Sequence, residues 1–461
     1  MKSDVKKSKN QQDTNKTLNF MLNEPIPKVV TKMSIPTVIS MLVMSIYSLS
    51  DMFFVSKLGT SATAAVGIVF SIMTMVQAVG FMLGIGAGSL ISKSLGEGNN
   101  KNADFLATMA FFSSLIGGVL VMILGIIFKT EIMQFLGATK TILPYAEDFS
   151  HYILIASPIM CGAFVLNILL RSQGKPGLSM IALSVGGILN IILEPIFIFV
   201  LKMGIGGAAI ATLISQSVSF IILLSIYMKG KFFAKIKFSL FLPSLKMLPK
   251  ICYTGSSSLL RQGLVVIANV LLNIKASVFG DEAIAGISIT NRVFLVVISI
   301  MFGLGQGFQP VAGFCFGAKK LDRVKKAFFF TLILSTFLQI FFSFLLYRFA
   351  SPVVSFFQKD SEVVKIGTWA VRFFAISIPF LPISIITNML FQVGGENKKS
   401  IFLSSCRQGI FFIPLIFTLP HFFGITGLEL CQPISNILSS LVSLPFLAWY
   451  LKIMNTKQST N

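Results

Sequence analysis

Long apolar runs separated by short polar breaks fill the chain from about residue 33 to residue 451. Twelve of these runs reach the roughly 20 residues that a helix needs to cross a hydrocarbon core of about 30 Å. They fall near 33–55, 62–90, 104–128, 147–170, 178–200 and 204–228 in the first half. In the second half they fall near 250–279, 284–315, 327–349, 366–391, 400–420 and 424–451. The pattern predicts an all-α membrane protein with 12 transmembrane helices.

The polar and helix-breaking positions repeat. Sliding the chain against itself by 221 residues matches Gly59 to Gly280, Gly84 to Gly305, Pro158 to Pro379, Asn167 to Asn388 and Gly174 to Gly395. A one-residue change of shift carries the match on from Gly204 to Gly424 and from Ser215 to Ser435. Six helices is an even number, so both halves cross the bilayer in the same sense. The expectation is two pseudo-symmetric six-helix lobes related by an axis along the membrane normal, a parallel repeat. The divisions are a cytoplasmic tail at 1–32, a first lobe at 33–228, a linker at 229–249, a second lobe at 250–452 and a tail at 453–461. The linker mixes lysines with phenylalanines (KGKFFAKIKFSLFLPSLK), which suits a segment lying on an anionic leaflet.

Composition agrees with the pattern. Hydrophobic residues make up 54% of the chain, mean hydropathy is +0.83 and only 12% of residues are charged, against about 25% in soluble domains. The net charge of +21 would suit a nucleic-acid partner, but its distribution does not. Lysines and arginines collect in the tails and the even-numbered loops, while the odd-numbered loops are nearly balanced. Under the positive-inside rule both termini face the cytoplasm, and the charge encodes orientation rather than a nucleic-acid ligand. The first thirty-two residues are polar and lysine-rich with no apolar core, which argues against a cleaved signal peptide. Cys161, Cys252, Cys315, Cys406 and Cys431 show no CxxC spacing and read as packing residues rather than metal or redox groups. No GxxxxGK[ST] motif for ATP occurs.

Against this apolar background the stretch LNIILEPIFIFV, residues 189–200, carries a carboxylate and a proline inside a span. Glu194 lies about 12 Å below the outer end of its helix, Asp51 about 9 Å below the same surface, and Thr212 about 12 Å down. Asn190 shares the Glu194 helix face through the i, i+4 relation. Acids at that depth are costly unless they meet a partner, water or an ion, so they default to function. Two carboxylates facing one cavity can share a proton. With the Asn190 carbonyl and the Thr212 hydroxyl they can instead supply oxygens to a hard cation such as sodium. Pro195 leaves the Ile191 carbonyl without its helix donor and loosens the helix beside the acid. By the 221 shift the second lobe puts Leu272 and Leu415 where the first has the acids. It carries Arg261, Arg292, Arg372 and Arg407 instead, Arg261 and Arg407 in repeated Arg-Gln-Gly tripeptides, with Glu429 a candidate partner for Arg292. These residues mark a basic second cavity or, more plainly, snorkelling side chains. His151 and His421, alone near helix ends, read as structural.

The first-helix stretch IPTVISMLVMSIYSLSDMFFVSKLG, the segment GIGAGSLISKSLGEGN, the LNIILEP motif and the six-plus-six repeat together resemble the MATE (multidrug and toxic compound extrusion) family, in its MepA-like branch. The resemblance implies a cation-coupled antiporter that exports amphipathic, cationic small molecules from a cleft between two lobes. It places the family's first-lobe cation site on Asp51, Asn190, Glu194 and Thr212, and the helix-bending proline on Pro36. The helix 5 acid is Glu where the family has Asp, which leaves H+ or Na+ open as the coupling ion. The second-lobe acid of some branches is absent, with Arg261 nearby. The expectation is an exporter, not an enzyme, in the inner (cytoplasmic) membrane. It works as a monomer among membrane lipids, with no cofactor, no nucleic acid, and no metal beyond sodium. The alternative is a flippase for lipids or lipid-linked oligosaccharides of the same superfamily.

Overall fold

The computed structural model describes residues 16–230 and 232–459. The first fifteen residues of the expected tail, residue 231 of the linker and residues 460–461 lie outside the described residues. Among the described residues the regular structure is all helical, with no strand. The membrane-length helices of the first half are α1 (Ile26–Ser56), α2 (Thr60–Gly96), α3 (Asn100–Ile127), α4 (Leu143–Ser172), α5 (Pro176–Pro195) and α6 (Gly204–Lys229). Those of the second half begin with α7 (Leu248–Ser277), α8 (Asp281–Gly317) and α9 (Leu321–Arg348). Next comes α10, Ser361–Gly394, interrupted by a 3-10 turn at Ile378–Phe380 where Pro379 and Pro382 remove backbone donors.

The last apolar stretch, Asn397–Thr456, is helical for 60 residues. A helix of that length would span about 90 Å, three hydrocarbon cores. It crosses twice instead. Gly424 leaves helical geometry at φ 57° and ψ −135°, and residue 427 returns so closely to the Leu419 carbonyl that a Cβ there would sit 2.1 Å from it. Residues 397–423 form α11 and residues 425–459 form α12, which completes twelve.

The repeat seen in the sequence is therefore a repeat of geometry. Gly204, the counterpart of Gly424, has φ 59° between α5 and α6. Such left-handed conformations are cheap only for glycine. The matched asparagines do matched work. Asn167 donates to Ser179 Oγ at 2.5 Å, tying α4 to α5. Asn388 donates to the Ser400 carbonyl at 2.6 Å, tying α10 to α11. Short helices at Lys129–Phe135 and Ala350–Phe357 occupy corresponding loops.

The chain is ordered further towards its N-terminus than hydropathy suggested. Helix α1 begins at Ile26, and residues 16–23 form a separate helix whose Met21 is fully buried. Arg323 holds this segment through the carbonyls of Met21 and Glu24. A polar sequence can still be fixed when its few apolar side chains reach a core, which a hydropathy average cannot register. The linker is pinned too. Ala234 donates its N–H to Gln173 at 2.8 Å and accepts from the Tyr227 hydroxyl at 2.6 Å, while Phe238 and Leu242 stay exposed.

The two halves meet unequally. At the end carrying Ile26 and Gly96, here the basal end, one hydrophobic core runs continuously from Met33 and Ile91 to Phe308, Phe314 and Phe328. Helix α2 packs on α7 and α8, and α1 on α8. Backbones nearly touch along this seam. A Cβ on Gly86 would lie 2.2 Å from the Ile251 carbonyl, and one on Gly255 1.8 Å from the Met82 carbonyl. Arg171 of α4, buried, donates across the seam to Gln306 of α8. Higher up, Ser45 and Ser299 form a hydrogen bond at 2.7 Å. Towards the opposite end the core divides into separate clusters, one around Val69 and Phe149, another around Leu272 and Phe412.

Candidate functional site

The site is built by α1, α5 and α6. Helix α1 presents Asp51 and, one turn earlier, Tyr47. Helix α5 presents Asn190 and Glu194, again one turn apart. Helix α6 presents Thr212. The i, i+4 spacing puts each pair on one face, and α1 packs on α5 while α5 packs on α6. Three faces thus converge.

Glu194 and Thr212 are fully buried, Asn190 nearly so, and Asp51 is 7% exposed. The carboxyls of Asp51 and Glu194 face each other. Asn190 Nδ2 donates to Thr212 Oγ1 at 3.2 Å, which orients the amide oxygen away from the threonine. Both Glu194 oxygens, Asp51 Oδ1 and Asn190 Oδ1 have no protein donor. The buried Tyr47 hydroxyl lies in the electrostatic reach of both acids and beside Thr212, yet makes no closed hydrogen bond. Buried acceptors without donors are rare because each costs about 1–3 kcal/mol, more for charged groups. Here several stand together in one pocket.

The local backbone explains how Glu194 is aimed. After Pro195 the helix widens into a π-helical turn at Ile196–Val200. Proline has no N–H for the Ile191 carbonyl and its ring presses on that turn, so the ladder continues with looser spacing. The turn packs against α6 and buries Ile198 in the hydrophobic cluster around Val69 and Phe149. Pro36, by contrast, lies within an uninterrupted α1.

A small cavity of about 40 Å³ sits next to this cluster, lined by Val43, Met44, Tyr47, Met73, Gln77 and Phe164 among others. The sequence reading missed Tyr47. Its signal was available, since it stands four residues before Asp51. It also missed Arg171 and Gln306, whose meeting depends on how the lobes dock.

The second-lobe residues separate into two groups. Arg261 and Arg407 lie within electrostatic reach of each other where α7 packs on α11. Arg292 and Glu429 do not form the expected ion pair. Arg292 lies eleven residues into α8 and Glu429 five residues beyond the Gly424 turn, so their depths differ by roughly 9 Å. Leu272 and Leu415 occupy the places of the acids and join an apolar cluster.

Twelve helices in two repeated halves, with a facing pair of buried acids in the first half and a seam closed at one end, are the architecture of a secondary membrane transporter. The MatE family model matches the chain twice, at residues 36–196 and 258–418, close to the offset of the internal repeat. The Staphylococcus aureus multidrug export protein MepA is 24% identical over 428 residues, covering 93% of this chain and 94% of that protein. An outward-facing multidrug resistance MATE family transporter of the MOP superfamily superposes with a TM-score of 0.90 at 26% identity, over 96% of this chain and 99% of the other. A MOP superfamily transporter from Pyrococcus furiosus gives 0.89 at 25% identity, over 95% and 99%. The chain belongs to the MatE family.

Proposed function

We propose that the protein is a secondary active exporter of amphipathic small molecules, driven by H+ or Na+ through Asp51, Glu194, Asn190 and Thr212. The observation that carries this is the pair of facing, buried carboxyls with acceptors left over for a cation. Two such anions cannot both stand bare in a medium of low dielectric. A proton shared between them, or a sodium ion held by the carboxylates with the Asn190 carbonyl and Thr212 hydroxyl, neutralises the cluster. MepA, the Staphylococcus aureus relative, is by its name a multidrug exporter, which supports drug-like cargo here. Exposed phenylalanines and methionines supply adaptable apolar walls.

With both termini in the cytoplasm, the closed basal seam faces inward and the divided cores face outward. Alternating access then runs as follows. In the outward-facing state the acids take up the ion, α1 and α5 repack around the neutralised pair, and cargo leaves. In the inward-facing state the seam opens, the ion leaves, and new cargo, cationic compounds among them, enters between lobes 33–228 and 250–452. Pro36, which has no N–H for the carbonyl one turn below, gives α1 a place to bend during this exchange. The protein works as a monomer in the cytoplasmic membrane.

The test is dye efflux from everted vesicles with pH and sodium gradients imposed separately. Wild type responds to one gradient and Glu194→Gln to neither. Equal efflux by Glu194→Gln and wild type would end the coupling reading.

A further inference from the structure

Helices α7 and α11 each carry Arg-Gln-Gly, at 261–263 and 407–409. Helix α7 packs on α11, with Gly409 against Leu264, and this brings the two arginines within electrostatic reach of each other. Arg407 is 8% exposed, and neither its Nη1 nor the Nε of Arg261 has an acceptor. Neither side chain forms an ion pair among the described residues. Phe302 of α8 lies under the Arg261 guanidinium at 5.1 Å, which steadies the cation without neutralising it. The Ser435 hydroxyl donates to the Arg407 carbonyl and pins the backbone behind the side chain.

Snorkelling does not account for this arrangement. Arg261 stands thirteen residues into α7 and Arg407 ten residues into α11, roughly 20 and 15 Å from the basal ends. Arg407 is buried in protein rather than turned along lipid. By the repeat, Arg261 and Arg407 replace Ser40 and Gly186 of the first lobe. The second lobe thus puts two guanidinium groups where the first has small side chains. Like charges held together at this depth call for a counter-charge.

We infer that Arg261 and Arg407 form an anion site in the second lobe that takes an oxoanion group: the carboxylate, sulfonate or phosphate of a transported amphiphile or of a lipid headgroup. Two guanidinium forks match the paired oxygens of such a group. The site rests on the transporter reading only for the origin of its ligand. Cargo then includes zwitterions and anions as well as cations, the acids of the first lobe serving the ion and the arginines of the second serving the cargo.

The test is binding of N-dansyl-leucine and of its carboxamide to the full chain in phosphatidylcholine nanodiscs, followed by fluorescence anisotropy. Wild type is expected to prefer the carboxylate. Arg407→Gln is expected to weaken that probe roughly tenfold and leave the amide unchanged, with Arg407→Lys in between. If a headgroup is the occupant, phosphatidylglycerol stays on wild type in native mass spectrometry, is lost from Arg407→Gln, and competes with the carboxylate probe. Arg261→Gln repeats each measurement should Arg407→Gln fail to fold. Equal binding of both probes by wild type and variants, with no difference in retained phosphatidylglycerol, overturns the site. No ion gradient enters these measurements, so their failure leaves the Glu194→Gln efflux test standing, and the reverse.

Discussion

At the scale of single residues, the distinction that matters is between buried polar groups that are partnered and those that are not. Asn167 and Asn388 are partnered and hold helices together. Asp51 and Glu194 keep acceptors without donors, which in the proposed coupling receive an ion. Replacing Asp51 with Asn should therefore cost coupling and not folding. The expected outcome is efflux reduced at least tenfold, with the chain still eluting as a single species on size exclusion. Tyr47 contributes a hydroxyl to the same pocket. Tyr47→Phe is expected to retain efflux but to need a several-fold larger ion gradient for half-maximal rate, read from a gradient titration. The acids were legible in the sequence because a carboxylate among isoleucines is conspicuous. Tyr47 carried only its place one turn before Asp51 as a signal, because a tyrosine passes as one more aromatic until its hydroxyl is placed.

At the scale of elements, Pro195 turns a regular helix end into a wide one. Its π-helical turn sets the rotation of everything from Ile196 to Val200 relative to Glu194. Pro195→Ala restores the Ile191 hydrogen bond and draws the turn towards α geometry. Slower amide exchange over 191–200 and reduced efflux are the expected readouts, and unchanged exchange would mean that packing on α6 alone holds the π turn. The loosening was predictable from proline chemistry, whereas its resolution as a π turn depended on the α6 surface beneath it. Helix α10 makes the same point, since Pro379 and Pro382 bring a local 3-10 turn but the span continues through it because both sides are buried.

At the scale of the whole molecule, the proposed alternating access depends on an asymmetry between ends. The basal seam closes only because Gly86 and Gly255 let backbones meet carbonyls at distances no side chain tolerates. Gly255→Leu should hold that seam apart and favour the other state. A cysteine placed at Ser89, in the small pocket beside Arg171 and Gln306, would then label readily from the basal side, while in the parent protein it would be protected. Arg171→Ala is expected to act in the same direction and more weakly, because it removes one hydrogen bond of the seam and leaves the glycine contacts in place.

The sequence by itself determined the number of crossings, the twofold repeat, the turns at Gly204 and Gly424 and the place of each acid along its helix. These follow from apolar length, from glycine and proline backbone limits, and from rise per residue, all of which are local. Only the tertiary structure decided which way each helix face points. It set Asp51 against Glu194, parted Arg292 from Glu429, brought Arg261 to Arg407, and joined Arg171 to Gln306 across the lobes. Depth along a helix is fixed by counting, but rotation about it and the docking of one helix on another are set by the packing of side chains far apart in the chain.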